Sequence, residues 1–218
     1  MLFSEGFIPL CHFTLPREVT VSRKIPELDM RLWHNLETRS DFVNRLGEAL
    51  KDIGFFALSN HGIDLGLIES AYANASNFFS RSEAEKLLHE RIDIQRQRGF
   101  VPFGVEHAKG NPAPDLKEFW QSGRTLPESH PKANEFPANI WPNEIQPDFQ
   151  ISIDGLFREM EKLSRELLCA ASQYLDKPVN WLSDMAEDGN TILRVIHYPP
   201  ISPDAPPGAV RSSQHEDI

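Results

Sequence analysis

The sequence ends in two residues that could bind one metal ion, His215 and Asp217, separated by a single residue. In a strand, side chains alternate between faces, so this imidazole and this carboxylate would point the same way. With a second histidine from a distant strand they would form a 2-His-1-carboxylate triad, which binds Fe(II) and leaves positions open for oxygen and substrate. No residue follows Ile218. We therefore expect the third ligand to lie beyond Ile218.

The pair alone is weak support for a metal site. With 8 His and 13 Asp among 218 residues, about one such pair in every two sequences would arise by chance. The alternative interpretation is a solvated strand end. Another histidine, His61, stands in Asn60-His-Gly62, a segment typical of a turn. Because no carboxylate or second histidine stands at ligand spacing from it, we predict that His61 is structural and hydrogen-bonded to nearby backbone.

The charge of the chain narrows the classes of partner. Lys and Arg total 22 against 32 Asp and Glu, a net charge of -10, and no basic run is present, so nucleic acid is not an expected partner. The first ten residues do not resemble a signal peptide, and no apolar run could span a bilayer. We expect a cytoplasmic protein with no membrane partner. Cys11 and Cys169 are interpreted as two reduced thiols, and the oligomeric state stays open.

The spacing of apolar residues predicts a mixture of helices and strands. Apolar positions at three- and four-residue steps predict helices over 40–53, with Ser40 as N-cap, and over 64–79, with Asp64 as N-cap. Extended segments are predicted at 25–29 and, buried, at 54–59. The remaining expected strands are 98–104 and 117–122, which should pair with each other, and 191–198, which ends at two prolines.

A division of the chain is predicted near residue 146. The stretch 125–147 is rich in Pro and Asn and is typical of a connection. A long amphipathic helix over 149–175 follows it. We therefore divide the chain into an N-terminal region, 1–146, and a second region, 147–218, that opens with this helix. The aromatic residues are interpreted as core rather than as a substrate cage: Phe55, Phe56, Phe78, Phe79, Phe100, Phe103, Phe119 and Trp120.

Several short motifs occur together and in a fixed order from about residue 25 to the end of the chain. Each is unspecific alone, but the ordered set resembles the isopenicillin N synthase-like family of Fe(II)- and 2-oxoglutarate-dependent oxygenases. The motifs are Ile25-Pro-Glu-Leu-Asp29, Gly54-Phe-Phe-Ala-Leu-Ser-Asn-His-Gly-Ile63, Phe78-Phe79 with Glu85-Lys86, Arg98-Gly-Phe-Val-Pro-Phe-Gly104, Asp115-Leu-Lys-Glu-Phe119, Leu193-Arg-Val-Ile-His-Tyr-Pro-Pro200 and His215-Glu-Asp217.

The resemblance implies an α+β fold in which a helical N-terminal region precedes a distorted double-stranded β-helix, or jelly roll, that is incomplete in this chain. It implies that His215 and Asp217 are Fe(II) ligands. It also implies that Tyr198 binds either 2-oxoglutarate or a substrate carboxylate. The distal histidine and an Arg-x-Ser pair that holds 2-oxoglutarate would lie beyond Ile218. We interpret their absence as truncation, and the 218 residues alone are expected to be inactive.

The resemblance has a departure at the strand before the metal motif. Many plant members carry Asn-Tyr-Tyr-Pro where this chain has Ile196-His-Tyr-Pro199, so an amide that orients the cosubstrate is missing. His197 alternates with Tyr198 and should face the other side of the strand, which favours a structural role for it.

The resemblance implies a non-haem Fe(II) oxygenase that uses O2 and 2-oxoglutarate to hydroxylate, desaturate or cyclise a small organic substrate. One alternative is an oxidase like isopenicillin N synthase, which does not use 2-oxoglutarate. Another is a non-catalytic jelly-roll binding domain without a metal. A hydrolytic zinc site fits the accompanying motifs less well. The downstream sequence would distinguish these functions. An Arg-x-Ser pair after the distal histidine favours the 2-oxoglutarate-dependent oxygenase, and a missing distal histidine favours the non-catalytic binding domain.

Overall fold

The computed structural model describes residues 24–106, 115–205 and 207–213. Within these ranges the chain mixes helices and strands, as its apolar periodicity predicts. In chain order the elements are β1 Glu27–Asp29, α1 Met30–His34, α2 Arg39–Asp52, β2 Ala57–Ser59, α3 Leu65–Phe79, α4 Glu83–Leu87, a 3-10 turn Ile92–Ile94, β3 Gly99–Val101, β4 Glu118–Gly123, α5 Pro147–Tyr174, α6 Trp181–Ala186 and β5 Ile192–His197.

The first helices begin at polar caps. The predicted helix over 40–53 is present as α2, but its N-cap is Thr38, so the prediction of Ser40 as the cap is wrong. The reason is that the carbonyl of Thr38 already accepts the N–H of Phe42 at 3.1 Å, which starts the helical ladder two residues earlier. Asp64 caps α3 as predicted, because its carboxylate accepts a first-turn backbone N–H at 2.9 Å.

A small sheet joins the extended segment near the start of the described chain to the loop after α2. Strands β1 and β2 run parallel, with Leu28 opposite Leu58. The predicted extended segment 25–29 is confirmed. The predicted buried strand 54–59 is only partly correct, because pairing starts at Ala57 and none of residues 54–59 is buried. Gly54 turns the chain with φ +83° shortly after α2, and the two residues between Gly54 and Ala57 therefore lie outside the ladder.

The second sheet has the order β3-β4-β5, and both pairs are antiparallel. Trp120 at its centre stands opposite Phe100 on one side and Val195 on the other. The predicted pairing of 98–104 with 117–122 is therefore confirmed, and the strand predicted at 191–198 completes the sheet. All six residues of β4 are buried. Within the described residues, β5 forms an edge of this sheet.

Helix α5 is the long amphipathic helix predicted from the sequence, and it packs on both halves of the core. Near its start, Phe149 and Ile153 join a cluster that includes Phe78 and Trp120. Near its end, Ala170 joins a second cluster around α1, α2 and β1. Side chains on both sides of the division at 146/147 thus share one core, and that division stays a prediction. In the described ranges, no helix combines the length and apolar character that crossing a membrane requires.

Of the eight aromatic residues interpreted as core, five are buried, one is partly buried and two are exposed. Phe78, Phe79, Phe100, Phe119 and Trp120 are buried, and Phe56 is partly buried against the second cluster. In contrast, Phe55 is 64% exposed and Phe103 is 44% exposed, so the prediction is wrong for these two. Both stand beside glycines with positive φ, where the chain turns away from the sheet. A composition-based expectation of burial does not account for such turns.

Candidate functional site

Of the three predicted site residues, the structure describes Tyr198. It directly follows β5, and 38% of its surface is exposed. His215 and Asp217 lie outside the described residues. Among the residues that are described, no group of three His, Cys, Asp or Glu could hold a metal ion. The predicted metal site therefore depends on residues that follow Ser213.

Successive side chains of β5 lie on opposite faces of the sheet. Val195 packs against the aromatic cluster of the core. His197 lies flat on Phe79, with ring centroids 5.2 Å apart and an interplanar angle of 20°. Ile196, between them, is 40% exposed. Because strand side chains alternate, this arrangement fits a structural role for His197 and directs Tyr198 to the face that carries Ile196.

A buried ion pair holds the core face of β5. Glu118, in β4, is 2% exposed, and its Oε2 accepts a hydrogen bond from Nζ of Lys86 at 2.7 Å. Its Oε1 lies 2.8 Å from Nδ1 of His197. An ionised carboxylate can only accept, so the histidine nitrogen donates. Glu118 thus fixes the residue next to Tyr198 from the opposite strand.

The other face of the sheet carries a cation, Arg194, that contacts three protein side chains. The guanidinium of Arg194 lies over the ring of Phe119, 4.9 Å from its centroid. Its Nε donates to the side-chain oxygen of Gln121 at 3.0 Å, and its Nη1 donates to Oε1 of Glu106 at 2.8 Å. The contacts tie β5 to β4 and to the loop that follows β3.

Glu106 belongs to a cluster of charges that reaches the end of the described chain. Lys117 lies between two carboxylates, with Nζ 2.7 Å from Glu106 and 3.1 Å from Asp115. Asp115 is 5% exposed, and its Oδ1 accepts two hydrogen bonds from Ser213, from the backbone N–H at 3.2 Å and from the hydroxyl at 3.1 Å. The cluster therefore fixes the chain two residues before His215.

Two further hydrogen bonds hold the same returning segment. The backbone N–H of Leu116 donates to the carbonyl of Val210 at 2.8 Å. The guanidinium of Arg211 donates to the carbonyl of Pro199 at 3.1 Å. Pro199 is the residue after Tyr198. The chain that leads into the His-x-Asp pair is thus attached beside the residue predicted to bind the cosubstrate.

The electrostatics of this cluster keep its members charged. Burial acts to raise the pKa of Asp115, but hydrogen bonds from Lys117 and Ser213 outweigh it, and the pKa lies below the ordinary value. The pKa of Glu106 is lowered in the same way, since Lys117 and Arg194 outweigh its burial. Burial acts to lower the pKa of Lys117, but the two carboxylates raise it overall. Both carboxylates are therefore ionised acceptors near neutral pH.

A cleft opens on the core side of β5. It has a volume of about 380 Å³, and it lies between α3, α5 and β5. Ala75, Phe79, Ile153 and Met160 are among its mostly apolar lining residues. Tyr198 is not among them. Along β5 the lining includes Arg194, Ile196 and His197.

The sequence anticipated one local arrangement and missed another. Nδ1 of His61 accepts the backbone N–H of Ile63 at 3.1 Å, so the prediction that His61 hydrogen-bonds nearby backbone is confirmed. The roles of Asp115, Lys117 and Glu106 were missed. Charged residues next to a buried strand are the sequence feature that could have indicated these roles. The segment Asp115-Leu-Lys-Glu-Phe119 was used only as one of the motifs that carry the family resemblance.

Comparison with known proteins identifies the family. The family described as "non-haem dioxygenase in morphine synthesis N-terminal" matches residues 25–144, which are more than half of the chain. The chain therefore belongs to this family of non-haem dioxygenases. The match confirms the resemblance that its ordered motifs indicate.

Individual relatives agree with this assignment. The 2-oxoglutarate-dependent dioxygenase thnC of Trichoderma harzianum is 25% identical over 183 residues, which cover 84% of this chain and 56% of thnC. A crystal structure of a 2OG-Fe(II) oxygenase family protein from Caulobacter crescentus is 33% identical, with a TM-score of 0.73, and covers 83% of this chain and 58% of that one. The chain thus spans little more than half the length of these relatives.

A more distant structure shares the fold. A full-length protein from Neurospora crassa, solved in complex with alpha-KG, aligns with a TM-score of 0.70 and 24% identity, covering 88% of this chain and 61% of the Neurospora chain. At this identity the likeness concerns the fold alone. The arrangement of helices and sheets in the described residues is therefore the one found in this structure as well.

Proposed function

We propose that this chain forms the N-terminal part of a longer protein, the full-length protein, which is a non-haem Fe(II) oxygenase. It would use O2 and 2-oxoglutarate to oxidise a small organic substrate. The observation that carries the proposal is the family match over 25–144 in a chain that continues into His215 and Asp217. The names of its relatives, a 2-oxoglutarate-dependent dioxygenase and a 2OG-Fe(II) oxygenase family protein, point to the same cosubstrate.

The donor types in the chain fit Fe(II). One imidazole and one carboxylate are two members of the triad that binds this ion, and a histidine downstream would supply the third. Bound Fe(II) would offer the open positions at which 2-oxoglutarate and O2 react. The attachment of Ser213 to Asp115 and of Arg211 to the carbonyl of Pro199 supports this assignment, because it brings the segment before the two ligands beside Tyr198.

Within this proposal each part of the chain has a distinct task. His215 and Asp217 hold the metal, and the hydroxyl of Tyr198 donates a hydrogen bond to a carboxylate of 2-oxoglutarate. The remaining strands would close a jelly roll on the edge and exposed face of β5, which would exclude water from the site. The division into regions 1–146 and 147–218 and the cytoplasmic location belong to the same proposal. The reaction is a hydroxylation, desaturation or cyclisation.

The reaction class can be tested without knowing the substrate. In the full reaction, 2-oxoglutarate and O2 give succinate and CO2 while the substrate loses two electrons. Without substrate, ascorbate can supply those two electrons. We expect the full-length protein with Fe(II), ascorbate, O2 and 2-oxoglutarate to release succinate, and we expect release to stop when Fe(II) is chelated.

Two outcomes would contradict the proposal in different ways. If a candidate substrate is oxidised with O2 consumption and no succinate, the protein is an oxidase that does not use 2-oxoglutarate, and Tyr198 is then assigned to the substrate carboxylate. If the protein binds neither Fe(II) nor 2-oxoglutarate, it is a non-catalytic binding domain. Isothermal titration with each ligand separates this second outcome from slow turnover.

A further inference from the structure

A continuous series of charged contacts connects β5 to the segment before the His-x-Asp pair. Arg194 on β5 contacts Glu106 at 2.8 Å, and Glu106 contacts Lys117 at 2.7 Å. Lys117 contacts Asp115 at 3.1 Å, and Asp115 accepts two hydrogen bonds from Ser213. The series begins on the strand that precedes Tyr198 and ends two residues before His215.

We propose that Asp115 is a positioning residue for the metal ligands, which sets where His215 and Asp217 stand relative to the Tyr198 strand. The inference rests on the proposed function, because it assumes that these two residues bind a metal ion. It adds a role for a buried carboxylate that would not itself touch the ion.

The geometry gives Asp115 this role rather than a general structural one. Any chain spans at most about 3.3–3.6 Å per residue, so fixing Ser213 limits His215 to within about 7 Å of it. Asp115 is buried and fixed by Lys117, so its Oδ1 is a rigid acceptor. Residues that orient metal ligands by hydrogen bonds typically change metal affinity roughly 10- to 100-fold when they are removed. Since Asp115 acts through two further residues, we expect the lower end of that range.

The test compares Asp115→Ala with Asp115→Asn in the full-length protein. Co(II) serves as an oxygen-stable substitute for Fe(II), and its affinity is measured anaerobically from its visible absorption spectrum. Asp115→Ala should weaken Co(II) binding about 10-fold and alter the spectrum of the bound ion. Asp115→Asn keeps an acceptor oxygen for Ser213 and should recover part of the affinity. Hydrogen exchange of the segment 208–213 should accelerate in Asp115→Ala without any metal.

Glu161→Ala provides a matched control. Glu161, which is partly buried, is like Asp115 a carboxylate in an ion pair, since Nε of Arg124 donates to it at 2.6 Å. Neither Glu161 nor Arg124 contacts the segment 208–213 in the described structure. Its removal should lower the thermal unfolding temperature while leaving Co(II) affinity and exchange of 208–213 unchanged. Should Asp115→Ala fail to fold, Ser213→Ala removes one of the two hydrogen bonds and should weaken Co(II) binding to a smaller extent.

The outcomes separate this inference from the proposed function. Wild-type Co(II) affinity together with unchanged exchange in Asp115→Ala would overturn the positioning role alone. Equal losses of affinity in Asp115→Ala and Glu161→Ala would also overturn it, because the effect would then follow general stability. A wild-type protein that binds no Co(II) would contradict the proposed function, and the exchange measurement would still show whether Asp115 holds the segment.

Discussion

Glu118 and Lys86 form an ion pair of 2.7 Å inside the protein, and Glu118 also holds His197, the neighbour of Tyr198. The side chain of Glu118 is 2% exposed and that of Lys86 is 9% exposed. Such a pair contributes little net stability, but removing one partner leaves the other charge buried and unpaired. The pair therefore makes the strand before the metal motif sensitive to single substitutions.

We predict that Glu118→Ala lowers the free energy of unfolding by about 3 kcal/mol or more, the usual cost of breaking a buried pair. Denaturant titration of the full-length protein measures it. The double variant Lys86→Met/Glu118→Leu should regain much of this stability, because it leaves no buried charge. As a control, Glu159→Ala breaks the exposed pair with Lys162 and should cost less than about 1 kcal/mol. Similar costs for Glu118→Ala and Glu159→Ala would contradict the prediction.

The pH dependence of stability should show the titration of His89. Its ring is buried against Phe78 and Trp120, with centroid distances of 6.1 and 5.9 Å. Burial lowers its pKa from the ordinary 6.5, and the nearby charge of Glu144 opposes this while that of Arg81 adds to it. The unfolded chain therefore takes up a proton first as the pH falls. The contribution of neutral His89 to the free energy of unfolding is complete above the ordinary pKa. It is lost as the pH falls through the lower pKa that His89 has in the folded protein.

His89→Phe removes this titration while keeping an aromatic ring in the core. Between about pH 7 and pH 5, the free energy of unfolding of the wild type should fall more steeply than that of the variant. Denaturant titrations at several pH values measure both slopes. Parallel curves for the two proteins would show that His89 does not titrate differently in the folded state.

The contact between α2 and α5 should not tolerate a methyl group at Gly47. A Cβ there would overlap the ring of Tyr174. Alanine favours helices by about 1 kcal/mol over glycine, but forced repacking of this kind costs about 1–3 kcal/mol. We therefore expect Gly47→Ala to lower the unfolding temperature. Gly155→Ala, whose Cβ would meet only Leu67 at 3.2 Å, should leave it unchanged or raise it. An equal gain in both variants would contradict the packing at Gly47.

Tyr198→Phe should weaken 2-oxoglutarate binding by one hydrogen bond to a charged group, about 1.5–3 kcal/mol. Isothermal titration of the Fe(II)-loaded, oxygen-free protein measures the affinity. Tyr72→Phe is the control, because Tyr72 is an exposed tyrosine on α3. Loss of 2-oxoglutarate affinity in the control, or none in Tyr198→Phe, would count against the role of Tyr198.

The sequence predicted the regular elements well because their causes are local. Helical spacing of apolar residues located α2, α3 and α5, and the carboxylate of Asp64 marked the start of α3. The errors at Ser40 and Phe55 are local as well, since they depend on which carbonyl first accepts a helical N–H and on a glycine turn.

The arrangement around the candidate site could not be predicted in the same way. Asp115 and Ser213 are 98 residues apart in sequence, and no periodic pattern links them. Their contact depends on how β4 and the returning segment meet in three dimensions. The roles of Tyr198, His215 and Asp217 came from the family resemblance, and they stay predictions.

The metal site is the central claim, and an anaerobic Fe(II) titration of the full-length protein tests it most directly. The wild type should bind one Fe(II) per chain. Asp217→Ala should lose most of that affinity, because two neutral imidazoles hold a divalent ion poorly without the carboxylate. Asp204→Ala, which changes an exposed aspartate earlier in the same segment, should bind like the wild type. Fe(II) binding by Asp217→Ala with wild-type affinity would contradict the assignment of Asp217 as a ligand and with it the proposed site.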